Sequence, residues 1–283
     1  IEIKFSQGAK PGHGGILPAG KVTEEIAEIR NVPVGKDVLS PPAHEAFSNF
    51  KEMLHFIKKL RTLSGGKPVG IKLCIGVQSE FLALCKEMIN ENIKPDFISV
   101  DGGEGGTGAA PLEFSNSMGM PYREGIAFTH NALIGFGLRE EIKLIASGKI
   151  ITGFHMARAI ALGADVCYSA RAMMIALGCI QALECNTNKC PTGVATQDQE
   201  LAAGLNVSDK KQRVANYQKE TIDAFLEMIA ASGLTKPSQL NRTHIYRRIS
   251  MSEIKRYDQL YKYIPKGSLL SKTHPEEFAL HMG

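Results

Sequence analysis

The sequence predicts an α/β fold with parallel strands, and three observations lead there. Between residues 142 and 177 the pattern runs strand, turn, helix, strand, helix, an order that requires parallel pairing through a right-handed crossover. Pro68 to Gly76 is a nearly continuous apolar run, as in a strand buried on both faces. The 283 residues, 43% of them hydrophobic, suffice for one α/β barrel or two smaller domains around a large core.

Taken in order, Ile1 to Phe5 alternates as a strand and empties into Gln7-Gly8-Ala9-Lys10-Pro11-Gly12-His13-Gly14-Gly15, a loop too glycine-rich for regular structure. Lys21 to Arg30 reads as a short helix, and Phe47, Phe50, Leu54, Ile57 and Leu60 mark the apolar face of another. Lys72 interrupts the apolar run after Pro68; a lysine there needs an anionic partner, either an internal carboxylate or a ligand. Phe81 to Ile89 is helical in pattern. Asp96 to Asp101 is the next strand and opens into Gly102-Gly103-Glu104-Gly105-Gly106-Thr107-Gly108, where missing side chains let backbone approach a flat or phosphorylated ligand. The loop fails as a dinucleotide fingerprint, because Pro111 interrupts and the helix comes only around 125 to 135.

Ile142 to Ala146 is a strand, 154 to 162 a helix stopped by Gly163, and Asp165 to Ala170 a strand before the helix that Arg171 begins. The turns at Ser147-Gly148-Lys149 and Ser169-Ala170-Arg171 sit where barrels often place a phosphate site, after their last two strands. A long amphipathic helix follows from 209 to 232, with Ser208 as the expected N-cap and Gly233 as its stop. The tail, 236 to 283, has weak periodicity and is expected to wrap the body or a partner.

A formal net charge of +4, without a long basic run or interleaved aromatics, argues against nucleic acid and suits a small anionic substrate. No apolar stretch approaches the roughly 20 residues that cross a bilayer, no signal peptide pattern opens the chain, and a cytoplasmic location is expected. The start at Ile1, inside a strand-like pattern, suggests a piece of a longer protein. Cys74, Cys85 and Cys167 read as small buried thiols. Of the histidines, His13, His44 and His130 border candidate loops, whereas His55, His155, His244, His274 and His281 lack spaced ligand partners.

The sharpest chemical signal is the C-x5-C-x4-C run of Cys179, Cys185 and Cys190, closed by Pro191 and Gly193. Three thiolates this close in sequence call for a metal or cluster, with zinc still an option on these residues alone.

Together, Gln7 to Gly12, the Gly-Gly-Thr-Gly-Ala of Gly105 to Ala109, and the cysteine run through Val194-Ala195-Thr196-Gln197 resemble the FMN-binding domain of glutamate synthase and its stand-alone homologues, over residues 1 to 235. The resemblance implies a (β/α)8 TIM barrel of the FMN-dependent type, with only the later five strands present here. It implies FMN and a [3Fe-4S] cluster ligated by Cys179, Cys185 and Cys190; structural zinc usually takes four ligands. It makes Gln7, Lys10 and Arg30 the clamp for 2-oxoglutarate, and Lys10, Lys72 and Glu104 the catalytic candidates. Lys72, Asp101, Gly102, Gly103, Gly105, Gly106, Thr107 and Gly108 would lie against the flavin, with Ser147, Gly148, Lys149, Ser169, Ala170 and Arg171 around its phosphate. The implied reaction is hydride transfer from reduced FMN to 2-iminoglutarate, with electrons from a ferredoxin or an FAD/NAD(P)H subunit. The missing N-terminal part of the barrel would be a further partner. His13 and Ser147-Gly148 depart from the usual pattern, so a different imino or keto acid is an alternative, as is a non-catalytic electron-transfer or scaffold module.

Overall fold

A computed structural model describes residues 1–106 and 110–282. The chain runs β1 (Glu2–Lys4), β2 (Ile16–Leu17), α1 (Glu24–Arg30), β3 (Val38–Leu39), α2 (Phe50–Leu63), β4 (Gly70–Leu73), α3 (Gln78–Asn90) and β5 (Phe97–Asp101). It continues through α4 (Tyr122–Gly135), β6 (Lys143–Ser147), α5 (Gly153–Ala161), β7 (Val166–Tyr168), α6 (Arg171–Ala176), α7 (Gln199–Ala202) and α8 (Val207–Ala231). The tail holds β8 (Tyr246–Arg248), β9 (Ile254–Arg256), α9 (Tyr257–Leu260) and α10 (Glu276–Ala279).

Five strands form one parallel sheet in the order β1-β4-β5-β6-β7. The order never reverses, so successive right-handed crossovers lay every helix on the same face. A doubly wound sheet would switch direction and carry helices on both. The burial agrees: Ile3, Ile71, Leu73, Ile98, Val100, Leu144 and Ala146 share one core with Leu54 and Ile57 of α2, Leu82 and Cys85 of α3, Ile126 and Leu133 of α4, and Ala157 of α5. The opposite face carries the row Lys4, Lys72, Ser99, Ile145 and Val166 in register. This is an arc of a parallel α/β barrel, with the row on its concave side. Gly70 is needed within it, because the Phe97 ring occupies the space a Cβ would take.

The helix ends follow local chemistry. Asn49 caps α2, accepting from the Glu52 N–H at 2.9 Å, and Thr152 caps α5 in a reciprocal box with His155. The long helix α8 begins two residues earlier than its pattern predicts: Asn206, rather than Ser208, accepts from the N–H groups of Ser208 and Asp209. Gly233, at φ 71°, ends it as expected. The helix anticipated from Lys21 starts at Glu24 behind the Thr23 cap, leaving Lys21 in a 3₁₀ turn. Residues after 235 send Tyr257, Ile264, Leu269, Phe278 and Met282 into the common core. Arg242, 0% exposed, donates to the carbonyls of Tyr261, Lys262 and Leu162 and to Asn131 Oδ1, fastening the tail to α4 and α5.

Candidate functional site

In parallel α/β folds the strands' carboxyl ends are where loops converge and ligands bind. Here Lys72 of β4, Asp101 of β5, Ser147-Gly148-Lys149 after β6 and Tyr168, Ala170 and Arg171 around the end of β7 line one cavity of about 170 Å³. Gln7, Gly105 and Gly106 form another part of its wall, and the cysteine loop from Cys179 to Glu184, with Cys185 and Cys190 to Thr192, closes it.

Asp101 is the hub of this end. Its side chain, 3% exposed, accepts from the Gly8 N–H at 2.9 Å and the Ser147 hydroxyl at 2.8 Å, and lies 3.6 Å from the Lys72 ammonium. The Lys72 question raised by the sequence is thereby answered twice: it has an internal carboxylate, and it still faces the cavity. Gly8 makes the junction possible, because a Cβ there would overlap the Gly102 carbonyl. The Ala9 N–H donates to the Gly105 carbonyl, and Arg171 Nη2 donates to the Gly106 carbonyl at 2.6 Å, so the two glycine loops and the start of α6 are tied together. Lys149 turns the chain after β6 in the left-handed region, at φ 50°.

A second cavity, about 600 Å³, adjoins the first and shares Gln7 with it. Lys4, Lys10, His13, His44 and Glu45 supply its charged and titratable groups. Burial, reinforced by Lys4, brings the Lys10 ammonium below its usual range. His44 stacks on Phe47, and His13 meets Phe114 edge-on, so both rings also have packing roles.

The cysteine loop combines an anion-friendly site with unusual backbone. Burial works against the Cys190 thiolate, but the Thr192 hydroxyl and the amides of Thr192, Ala195 and Val194 outweigh it, and the thiol falls below its ordinary range. Cys179 Sγ accepts from the Gln181 N–H at 3.4 Å. Gln181, Leu183 and Asn188 all have positive φ, at 58°, 61° and 67°. Among the described residues no three His, Cys, Asp or Glu side chains gather tightly enough to hold a single metal ion. That does not conflict with a multi-iron cluster, whose cysteines bind separate corners. The other thiols differ in kind: burial pushes Cys74 and Cys167 up to about 12, and Cys85 well above its ordinary value.

Several expected site residues stand elsewhere. Glu104 lines neither cavity; its carboxylate accepts from the Tyr122 N–H at 2.9 and 3.2 Å at the start of α4, and burial lifts it above the usual range. Arg30 is exposed in the last turn of α1, away from both linings. Ser169 turns its hydroxyl to the Ile150 carbonyl at 2.8 Å, and Gly102 and Gly103 support the wall from behind. Thr107 and Gly108 lie outside the described residues. His130 is removed from the site: its Nδ1 accepts from Arg139 Nε at 3.1 Å.

Two contributors escaped the sequence reading. Lys21 Nζ donates to the carbonyls of Cys185 and Ala195, at 2.6 and 2.8 Å, and Asn188 Oδ1 accepts from the Gln197 N–H at 2.7 Å. Both are ordinary residues in sequence whose partners are revealed only by the fold.

A family profile described as the conserved region in glutamate synthase matches residues 1–235. A glutamate synthase large subunit-like protein of Bacillus subtilis is 43% identical over 92% of the chain and 49% of its own length. An archaeal glutamate synthase [NADPH] of Methanocaldococcus jannaschii is 37% identical over 89% of the chain and 49% of its own. The chloroplastic ferredoxin-dependent glutamate synthase of Spinacia oleracea is 38% identical over 72% of the chain and 12% of its own. The chain thus spans about half the length of the first two relatives. A mutant flavocytochrome b2 with pyruvate bound superposes at a TM-score of 0.44 with 15% identity, over 89% of the chain and 51% of its own, too weak a likeness to bear on function.

Proposed function

The chain belongs to the glutamate synthase family through its conserved region, and we propose that it forms the flavin-binding part of an oxidoreductase that makes glutamate from 2-oxoglutarate and ammonia. The observation that carries this reading is the single cavity joining Lys72, Lys149 and Arg171 to the three cysteines. Three cations against Asp101, already engaged, and Glu184 suit an anionic ligand, and Tyr168, Met174, Ile180, Leu183 and Pro191 give it apolar walls. FMN fits such a lining, with Ser147, Gly148, Lys149, Ala170 and Arg171 about its phosphate and Lys72, Gly105 and Gly106 along its ring.

When bound, FMN supplies the hydride that reduces 2-iminoglutarate. The chain's own part is binding, charge and proton handling. Lys72, held by Asp101, contributes a fixed positive charge that favours an electron-rich ring beside it. Gln7 and Lys10 take the carboxylates of the 2-oxo acid, and because Gln7 borders both cavities a substrate in the larger one reaches the smaller. Lys10, its ammonium brought down by burial and Lys4, is suited to exchange a proton with the substrate. Arg30 and Glu104 lie outside this set. Cys179, Cys185 and Cys190 would hold a [3Fe-4S] cluster, which would supply one-electron transfer from a ferredoxin or a flavoprotein partner. The low-lying Cys190 thiol supports thiolate ligation.

The test is visible absorption and low-temperature EPR of the purified protein, followed by flavin reduction in Cys185→Ser. A flavin band, a three-iron signal and a variant that binds flavin but no longer accepts electrons are expected; a colourless zinc protein overturns the reading. His13 in the wall of the larger cavity favours, as a second reading, another 2-oxo acid. A panel of 2-oxo acids with ammonia separates the two.

A further inference from the structure

We propose that Lys21 is the positioning residue of the cysteine loop: its ammonium clasps both limbs of the loop and sets a positive charge beside Cys185. This inference rests on the cluster-binding reading above. Nζ donates to the Cys185 carbonyl at 2.6 Å and to the Ala195 carbonyl at 2.8 Å, one on either side of Cys190. Both acceptors are neutral carbonyls, so they orient the ammonium without cancelling its charge.

The loop has need of an outside clasp. Left-handed backbone costs roughly 1–2 kcal/mol at a residue with a Cβ, and Gln181 and Leu183 adopt it beside the more tolerant Asn188. Within the loop, Asn188 collects the Thr196 hydroxyl and the Gln197 N–H, an internal tie between the two limbs next to Cys190. Lys21 adds the tie from outside the loop, and it is the one that reaches Cys185 itself.

Lys21 is itself firmly mounted. Its N–H donates to the Pro18 carbonyl at 2.8 Å, the Ala19 N–H to Asp37 Oδ1 at 2.6 Å, and the next residue, Val22, is buried. Asn188 Nδ2 donates to the Gly20 carbonyl at 3.4 Å, a second thread at the same seam. The seam therefore joins the cysteine loop to the segment that follows Gln7 and Lys10. A charge-bearing clasp predicts two separable effects: order in the loop, and a bias toward the more negative, reduced state of any cluster it holds.

Lys21→Met and Lys21→Arg in the full chain test this. Amide hydrogen exchange of the cofactor-free protein is expected to quicken at least tenfold over residues 185–197 in Lys21→Met, with β4, β5 and β6 unchanged. In the loaded protein the cluster potential is expected to move to more negative values. Lys21→Arg, which keeps two donors and the charge, should restore both. Unchanged exchange in Lys21→Met overturns the clasp, and a potential that stays fixed while the loop loosens overturns the role of the charge. Should Lys21→Met fail to fold, Lys21→Gln is compared with Lys21→Arg in its place. A protein that never binds a cluster defeats the functional reading alone, because the exchange comparison still decides the clasp.

Discussion

Asp101→Asn is the most informative single change, because it alters one charge at a site where three groups converge. The carboxylate accepts two hydrogen bonds, from Gly8 N–H and Ser147 Oγ, and offsets Lys72 at 3.6 Å. An asparagine has one acceptor oxygen. The Ser147 hydroxyl can turn and accept from the new amide, but if the oxygen serves Ser147 instead, the Gly8 N–H faces another donor. Either way one charge-assisted bond is lost, worth about 1.5–3 kcal/mol. The Lys72 pair has a Coulombic ceiling of roughly 5 kcal/mol at an effective dielectric of about 20, and the partial exposure of Lys72 reduces this to about 1 kcal/mol. A loss of about 3 kcal/mol on urea unfolding is therefore expected, with weaker flavin binding from the same change. Combined with Ser147→Ala, the double variant should fall short of the sum by about 1 kcal/mol, since the two share a hydrogen bond. A loss below about 1 kcal/mol, or strict additivity, would refute the view of Asp101 as the hub.

Other outcomes follow from features away from the hub. Burial, then Arg242 and Arg139, holds His130 down to about 3; the unfolded chain protonates near the ordinary histidine value while the folded chain does not. Stability is thus expected to be intact at neutral pH and to drain as pH falls from about 6.5 toward 3, by at most about 1.4 kcal/mol per unit from this residue, and His130→Gln should flatten that slope in urea titrations. Gly163 sits at φ 120° with the His130 ring where a Cβ would go, so Gly163→Ala should cost about 2 kcal/mol or more by thermal unfolding; a neutral result would contradict that packing. Glu104→Gln should lower stability by about 1 kcal/mol through the start of α4 and change turnover little, whereas a hundredfold loss of turnover with unchanged stability would return Glu104 to the chemistry.

The sequence was readable wherever the signal is local or repeats with the period of an element. The five sheet strands stand out because each is a short apolar or, at Ile1 to Phe5, alternating run between turn residues, and their parallel pairing follows from the helices between them. The caps show the limit of local reading. Ser208 and Asn206 are both good caps, and the choice fell to Asn206, whose side chain reaches the N–H groups of Ser208 and Asp209. The tail was poorly legible because its burial is not periodic: Tyr257, Leu269 and Phe278 enter the core singly from short segments. In the site, motif residues such as Gln7, Lys72 and Arg171 come together as their strand ends suggest. Arg30 and Glu104, inferred from the resemblance alone, do not, since one ends a surface helix and the other faces the Tyr122 amide.

The unreversed strand order also bears on how the chain folds. From β4 to β7 every strand pairs with the next sheet strand in sequence, across 27, 46 and 21 residues (Ile71 with Ile98, Phe97 with Lys143, Ile145 with Val166), so those contacts can assemble as the chain is synthesised. β1 is the exception: the Ile1 amino group reaches the Pro68 carbonyl across 67 residues, and Lys4 pairs opposite Lys72. Arg242 meets Asn131 across 111 residues. These closures, with the still longer Lys21–Ala195 and Lys86–Met282 contacts across 174 and 196 residues, carry more loop-closure entropy than the pairings among the central strands. They are therefore placed to form last, which makes the cavity that contains Lys10 a late product of folding and the central strands its early scaffold.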